Sequence, residues 1–215
     1  MNDNKSTNTQ NAIPVNTSKA TPNGEIDFKK ELVITRIFAD ANLIAQHKER
    51  LSKGLPNITP QMLDFEMVQV VIKDNLFSTA MNEIVTHFNF DLDANFVNQI
   101  KDDLKKNLSG PQALDDNGVA IIADKIIKKQ LVFDHLAKLW NIVVSDEEVK
   151  SMLDVFYQRT NQSIREVLDD KAKFEGIRQA ILEEKLILKT ISAFPIRFEL
   201  SNPNFKQPDI PTAKN

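Results

Sequence analysis

An all-α protein is the fold class this sequence predicts, and three observations predict it. Apolar residues recur at helical rather than strand spacing over most of the chain, glycine is held to five in 215 residues, and Ser, Thr, Asp and Pro stand where helices begin or stop. Hairpin loops need residues that tolerate positive φ, so five glycines leave little room for a sheet-and-turn architecture.

The elements follow in order. Residues 1–24 are rich in Asn, Thr, Ser and Lys and too poor in large apolar groups to offset the entropy of ordering them, so a disordered polar tail is expected. That stretch contains no apolar run of signal-peptide length. From Phe28 to Leu51, the residues Ile34, Ile37, Phe38, Ala41, Ile44 and Ala45 fall at the spacing of one amphipathic helical stripe, which Gly54 and Pro56 stop. Thr59 reads as an N-cap with Pro60 at the first helical position, where a missing amide costs nothing. A long helix is therefore predicted from Pro60 to about His87, with Phe65, Val68, Ile72, Leu76 and Thr79 along one side.

Phe90-Asp91-Leu92 alternates for three residues, and Asp93 can cap a helix through Leu104 whose Phe96, Val97, Ile100 and Leu104 face inward. Ser109-Gly110-Pro111 and Asp115 to Gly118 are breakers. Val119 to Trp140 is another long helix, with a stripe of Ile122, Ile126, Phe133, Leu136 and Trp140. After the apolar segment Ile142-Val143-Val144, Ser145 and Glu148 form a capping box, and Val149, Met152, Leu153 and Phe156 share the face of the helix it opens. Ser163 and Glu166 form a second such box before Val167 and Leu168, and a long last helix covers Phe174 to Ile191. Prolines at 195, 203, 208 and 211 keep the remainder from long regular helix, so it is expected to pack at its start and fray at its end. The expected organisation is a polar tail (1–24), a helical domain (25–201) and a proline-containing tail (202–215). Aligning Phe90 with Ile142 puts Leu92 on Val144, Asp93 on Ser145 and Val97 on Val149, so helix, short apolar segment and capped helix occur twice.

The order of elements from Leu131 to Ile191 resembles the C-terminal, client-holding domain of bacterial trigger factors. The residues that carry the likeness are the helix end LVFDHLAKLWN (Leu131 to Asn141), the segment 142–144, the capping boxes at Ser145 and Ser163, and the final helix with Ile177-Arg178 and Leu182 to Leu186. The likeness extends more faintly over most of the chain after Gln61, and the scaffold also resembles the core of SurA-type periplasmic chaperones. The resemblance implies an elongated, multi-lobed helical domain with two arms around a cradle. It also implies an ATP-independent holdase that binds exposed apolar segments of unfolded or nascent polypeptides. An adaptor with one folded partner on the same scaffold is the alternative. The Gly-Phe-Arg-x-Gly-Lys-type loop through which trigger factors dock on ribosomes has no counterpart among the five glycines, and a glycine-rich isomerase domain is not expected. Ribosome docking by that route is not expected.

Residue chemistry points the same way. A formal net charge of −3 supplies no basic field for phosphate, so no nucleic-acid partner is expected. Without cysteine there is no disulfide or thiol chemistry, which suits a cytoplasmic location. Nowhere do about 18 apolar residues run together, so no membrane association is expected. His47, His87 and His135 stand far apart and outside any metal-ligand spacing, and the paired acidic residues are chain neighbours that do not converge on one point. No phosphate loop, dinucleotide fingerprint or nucleophile elbow occurs. Neither a cofactor nor enzymatic activity is expected. The client-binding candidates are Met62, Phe65, Met81, Phe88, Phe96, Met152, Phe156 and Tyr157, large adaptable side chains that could line a groove or fill an arm's core.

Overall fold

Local capping chemistry decides where the helices start. The computed structural model describes residues 16–55, 57–107, 115–160 and 163–200, and seven helices and four short strands occur among them. The helices are α1 (Ala41–Gly54), α2 (Pro60–Val85), α3 (Ala94–Asn107), α4 (Asp116–Leu139), α5 (Asp146–Thr160), α6 (Arg165–Asp169) and α7 (Lys171–Ser192). Strands β1 (Lys19–Pro22), β2 (Leu32–Ile34), β3 (Phe88–Asp91) and β4 (Ile196–Phe198) pair in two two-stranded sheets. The all-α expectation holds. Side-chain oxygens meet the orphan amides of the first turns: Met62 N–H donates to Thr59, Phe96 N–H to Asp93, Gly118 N–H to Asp115 and Glu148 N–H to Ser145.

The chain clusters into two units, each built from two separated stretches. The first combines residues 1–25 with 85–136. In it β1 pairs antiparallel with β3, from Lys19 opposite Asp91 to Pro22 opposite Phe88. Asp93 joins this sheet to α3. One carboxylate oxygen caps the helix while the other accepts from Thr17 Oγ1 at 2.7 Å, and Asp93 N–H donates to Ser18 Oγ at 2.9 Å. The Thr17 hydrogen bond is the largest of the influences that hold the Asp93 carboxyl below its ordinary range. Phe88, Val119, Ala123, Ile127, Val132, Phe133 and Leu136 are the buried apolar residues here, and the His135 ring meets Phe88 edge-on at 5.0 Å.

The second unit combines residues 26–84 with 137–215. Parallel β2 and β4 pair from Leu32 opposite Ile196 to Ile34 opposite Phe198. Phe28 lies 5.2 Å from Phe194 and 5.9 Å from Trp140, ring centre to ring centre. Asn141, at φ 49°, takes the left-handed position that ends α4: its N–H reaches Lys138 O, and Ile142 N–H reaches Ala137 O, the paired bonds of a Schellman cap. Segment 142–144 forms no strand. Two cations of α7 satisfy its carbonyls instead, Lys185 at Val143 O and Arg178 at Val144 O, and the same cations pair with Glu148 and Asp146 at the start of α5.

Those pairs make a pH prediction. Hydrogen bonding and charge from Arg178 hold the Asp146 carboxyl below its ordinary 3.8, and Lys185 chiefly holds Glu148 below 4.5. A depressed carboxylate contributes stability that is present above its unfolded pKa and lost as pH falls through the folded value. The α5–α7 junction is therefore expected to be intact at pH 5 and to loosen below about pH 4. The thermal midpoints of wild type and Arg178→Met should converge on acidification; a gap unchanged down to pH 3 would remove these carboxylates from the account.

Several sequence expectations are corrected. Residues 28–40 are not helical: Asp40, whose carboxylate accepts Leu43 N–H, starts α1 at Ala41, and the β-branched run at 33–35 enters β2 against a partner more than 160 residues away. Part of the expected polar tail is ordered, because Lys19–Pro22 gains a ladder partner in β3. Ser163 does not cap a helix; its hydroxyl accepts from Arg165 N–H, and α6 begins after Ile164 without a side-chain cap. Asp170 caps α7, accepting from Ala172 and Lys173. Residues 1–15 of the N-terminal tail and the whole of 202–215 lie outside the described residues, as does the breaker at 109–111.

Candidate apolar client surface

Helical periodicity puts residues on a common face, and packing then decides whether that face is covered. Five of the eight candidates lie exposed in the second unit: Met62 and Phe65 on α2, and Met152, Phe156 and Tyr157 on α5, each between 44% and 62% accessible. Met81 and Phe88 are corrected to core. Met81 lies near the end of α2 beside buried Ala80 and Ile84, and Phe88 faces His135 in the first unit. Phe96 is half-buried on α3, as are its predicted companions Val97, Ile100 and Leu104. On α5 the predicted stripe divides: Val149 and Leu153 are buried, while Met152 and Phe156 face solvent.

Two open grooves each take one of the exposed candidates, Met62 on α2 and Tyr157 on α5. The larger, about 690 Å³, is walled by Leu51 at the end of α1, Leu55 and Ile58 in the connection, Met62 on α2, and the end of α5 at Gln158 to Thr160. A groove of that size falls in the range that holds a few side chains of a ligand, and its walls are mainly apolar. Glu66 and Arg159 stand in its lining. The other groove, about 540 Å³, is formed by Tyr157, Ile164, Leu168 and the charged Asp154, Arg165 and Asp169. Leu51, Leu55 and Ile58 were missed in the sequence because Gly54 and Pro56 mark that stretch only as a helix stop. Their signal is that apolar residues continue through the break.

A third groove, about 430 Å³, lies along α1 and the middle of α2, among Phe38, Leu43, Ile44, Val70, Val71 and Phe77. Its wall is pinned by Asn75, a nearly buried amide that accepts Phe38 N–H and donates to Phe38 O, both at 2.8 Å, and also donates to Val71 O. The clamp holds the Phe38 backbone, and the residue as a whole is 75% exposed.

The resolved pKa shifts all favour the charged forms of surface ion pairs and caps. Glu49, Asp93, Asp116, Asp146, Glu147 and Glu148 are lowered, and Lys105, Arg178 and Arg197 are raised. A general acid or base working near neutral pH needs the opposite displacement. Among the described residues no group of three or more His, Cys, Asp or Glu could hold a metal ion, and no helix is long and apolar enough to cross a membrane.

Capped helices in series, short pairings between distant strands and large apolar side chains left in solvent define a helical domain with an open apolar surface. Residues 61–192 match the family of the bacterial trigger factor protein C-terminus, and the chain belongs to that family. It is similar to the uncharacterized protein MG377 of Mycoplasma genitalium, 43% identical over 82% of this chain and 90% of that one. It is also similar to the MG377 homolog of Mycoplasma pneumoniae, 44% identical with the same shares covered. The crystal structure of the hypothetical Mycoplasma protein MPN555 superposes with a TM-score of 0.79 at 43% identity, covering 86% of this chain and 93% of that one.

Proposed function

We propose that the protein is an ATP-independent, cytoplasmic holdase that binds exposed apolar segments of unfolded or nascent polypeptides without chemical turnover. The observation that carries this reading is the apolar surface of the second unit, where Met62, Phe65, Met152, Phe156 and Tyr157 stand in solvent, with Met62 in the wall of one groove beside Leu51, Leu55 and Ile58 and Tyr157 in the wall of another. Family membership supports it. Methionine and aromatic side chains repack around varied shapes, which suits clients without a common sequence. Burying about 400 Å² of apolar client surface at roughly 25 cal/mol/Å² gives about 10 kcal/mol, and association costs of several kcal/mol leave binding near the micromolar range. Clients held that weakly leave as they form their own cores.

Light scattering from an aggregating model protein tests the reading. Suppression is expected near equimolar ratio without nucleotide. Suppression that appears only with ATP would contradict it. A single stoichiometric folded partner, with no effect on aggregation, would make the protein an adaptor instead.

A further inference from the structure

One edge of β4 is taken by β2 and the other is open. In their two-stranded parallel sheet, Leu32 N–H donates to Pro195 O and Glu199 N–H donates to Ile34 O, each at 2.9 Å. Successive residues of a strand turn their amide groups to opposite edges, so Pro195, Arg197 and Glu199 face β2, and Ile196, Phe198 and Leu200 present theirs to the other side. No strand among the described residues pairs there. Such an edge is a template for another strand, and charges along it select which strand can come. The run Ile196-Arg197-Phe198-Glu199-Leu200 is its own complement. Laid antiparallel on a second copy about Phe198, it sets Arg197 opposite Glu199, Ile196 opposite Leu200 and Phe198 opposite Phe198. Hydrogen bonding agrees with that register: residues 196, 198 and 200 fall in the hydrogen-bonded pairs, and theirs are the amides that face outward. Arg197 and Glu199 then meet in the pairs whose side chains come closest. Within the chain Arg197 Nε donates to Glu31 and Nη1 to Glu199, which leaves Nη2 for the carboxylate of the second copy.

We infer that two copies of this chain associate through β4, antiparallel about a two-fold axis at Phe198, and so form one four-stranded sheet in the order β2, β4, β4, β2. Phe198 and Leu200, both exposed in the single chain, are covered by their counterparts across the axis. Self-association uses neither the α2 nor the α5 surface, so it stands or falls apart from the holdase reading.

Sedimentation equilibrium of the full chain tests the inference. A reversible dimer with a dissociation constant of about 10–100 µM is expected, in keeping with a small contact. Arg197→Glu or Glu199→Arg alone sets like charges opposite each other on both sides of the axis and should weaken self-association about tenfold or more. Mixed together, these two variants are complementary again, and their mixed dimer should return to within about threefold of the parent. Phe198→Pro changes no charge and removes an N–H that points away from β2, so it should keep the parent's circular dichroism and Trp140 emission and remain monomeric. It also decides the matter if either charge variant fails to fold. A parent chain that is wholly monomeric at about 500 µM would overturn the inference, as would a dimer that survives Phe198→Pro or that the charge reversals leave unchanged. A monomeric parent whose suppression of aggregation is lost in Phe198→Pro would give the edge to client strands and overturn it equally.

Discussion

Replacing Phe88 by alanine is expected to remove about 3–5 kcal/mol of folding free energy, the usual range for truncating a buried phenylalanine whose site cannot collapse. Phe88 is 6% exposed, lies opposite Pro22 in the β1–β3 ladder, and packs edge-on with His135 and at 6.2 Å from Phe90. Its neighbours are fixed from three directions: β1 by the ladder, α3 by the Asp93 cap, and α4 by buried Val132, Phe133 and Leu136. Little can move inward to fill the cavity. Because domains hold only about 5–15 kcal/mol in all, such a loss should bring the first unit close to unfolding at 37 °C. Urea titration followed by circular dichroism measures it. Trp140, the single tryptophan, lies in the second unit, so its fluorescence shows whether the units melt together. A loss under about 1 kcal/mol would return Phe88 to the surface set.

Helices were legible because their determinants are local. Thr59, Asp93 and Ser145 each reach amides within three residues, so the sequence alone marks those starts. The strands were not legible because theirs are distant. Lys19–Pro22 is polar and ends in proline, and it becomes a strand only through β3, about 70 residues on. Leu32–Ile34 fits a helical stripe as well as a strand until β4 pairs with it. The candidate surface was half legible for a related reason. A period of 3.6 residues says that Val149, Met152, Leu153 and Phe156 are near one another, but only the packing of neighbouring helices buries the first and third and leaves the others out. The same limit explains Met81, which reads like Met62 in sequence and differs only in what surrounds it.

A combined Met62→Ser, Phe65→Ser, Met152→Ser and Phe156→Ser variant is expected to remain folded and to lose holding. Each side chain is between 44% and 62% exposed, so each truncation forfeits only the covered part of its packing, roughly 1 kcal/mol apiece, and the variant is expected to be less stable than the parent but still folded. The same exposure makes them available to a client. If a bound segment covers even half of each, the forfeited burial amounts to roughly 1 kcal/mol per side chain, and every 1.4 kcal/mol is tenfold in affinity. Binding of a labelled apolar peptide, read by fluorescence anisotropy, should weaken at least about a hundredfold, and suppression of aggregation should disappear at equimolar ratio. The helical circular dichroism signal and the Trp140 emission should match those of the parent, which separates lost binding from lost fold. A folded variant that still suppresses aggregation like the parent would take the client site off the exposed faces of α2 and α5.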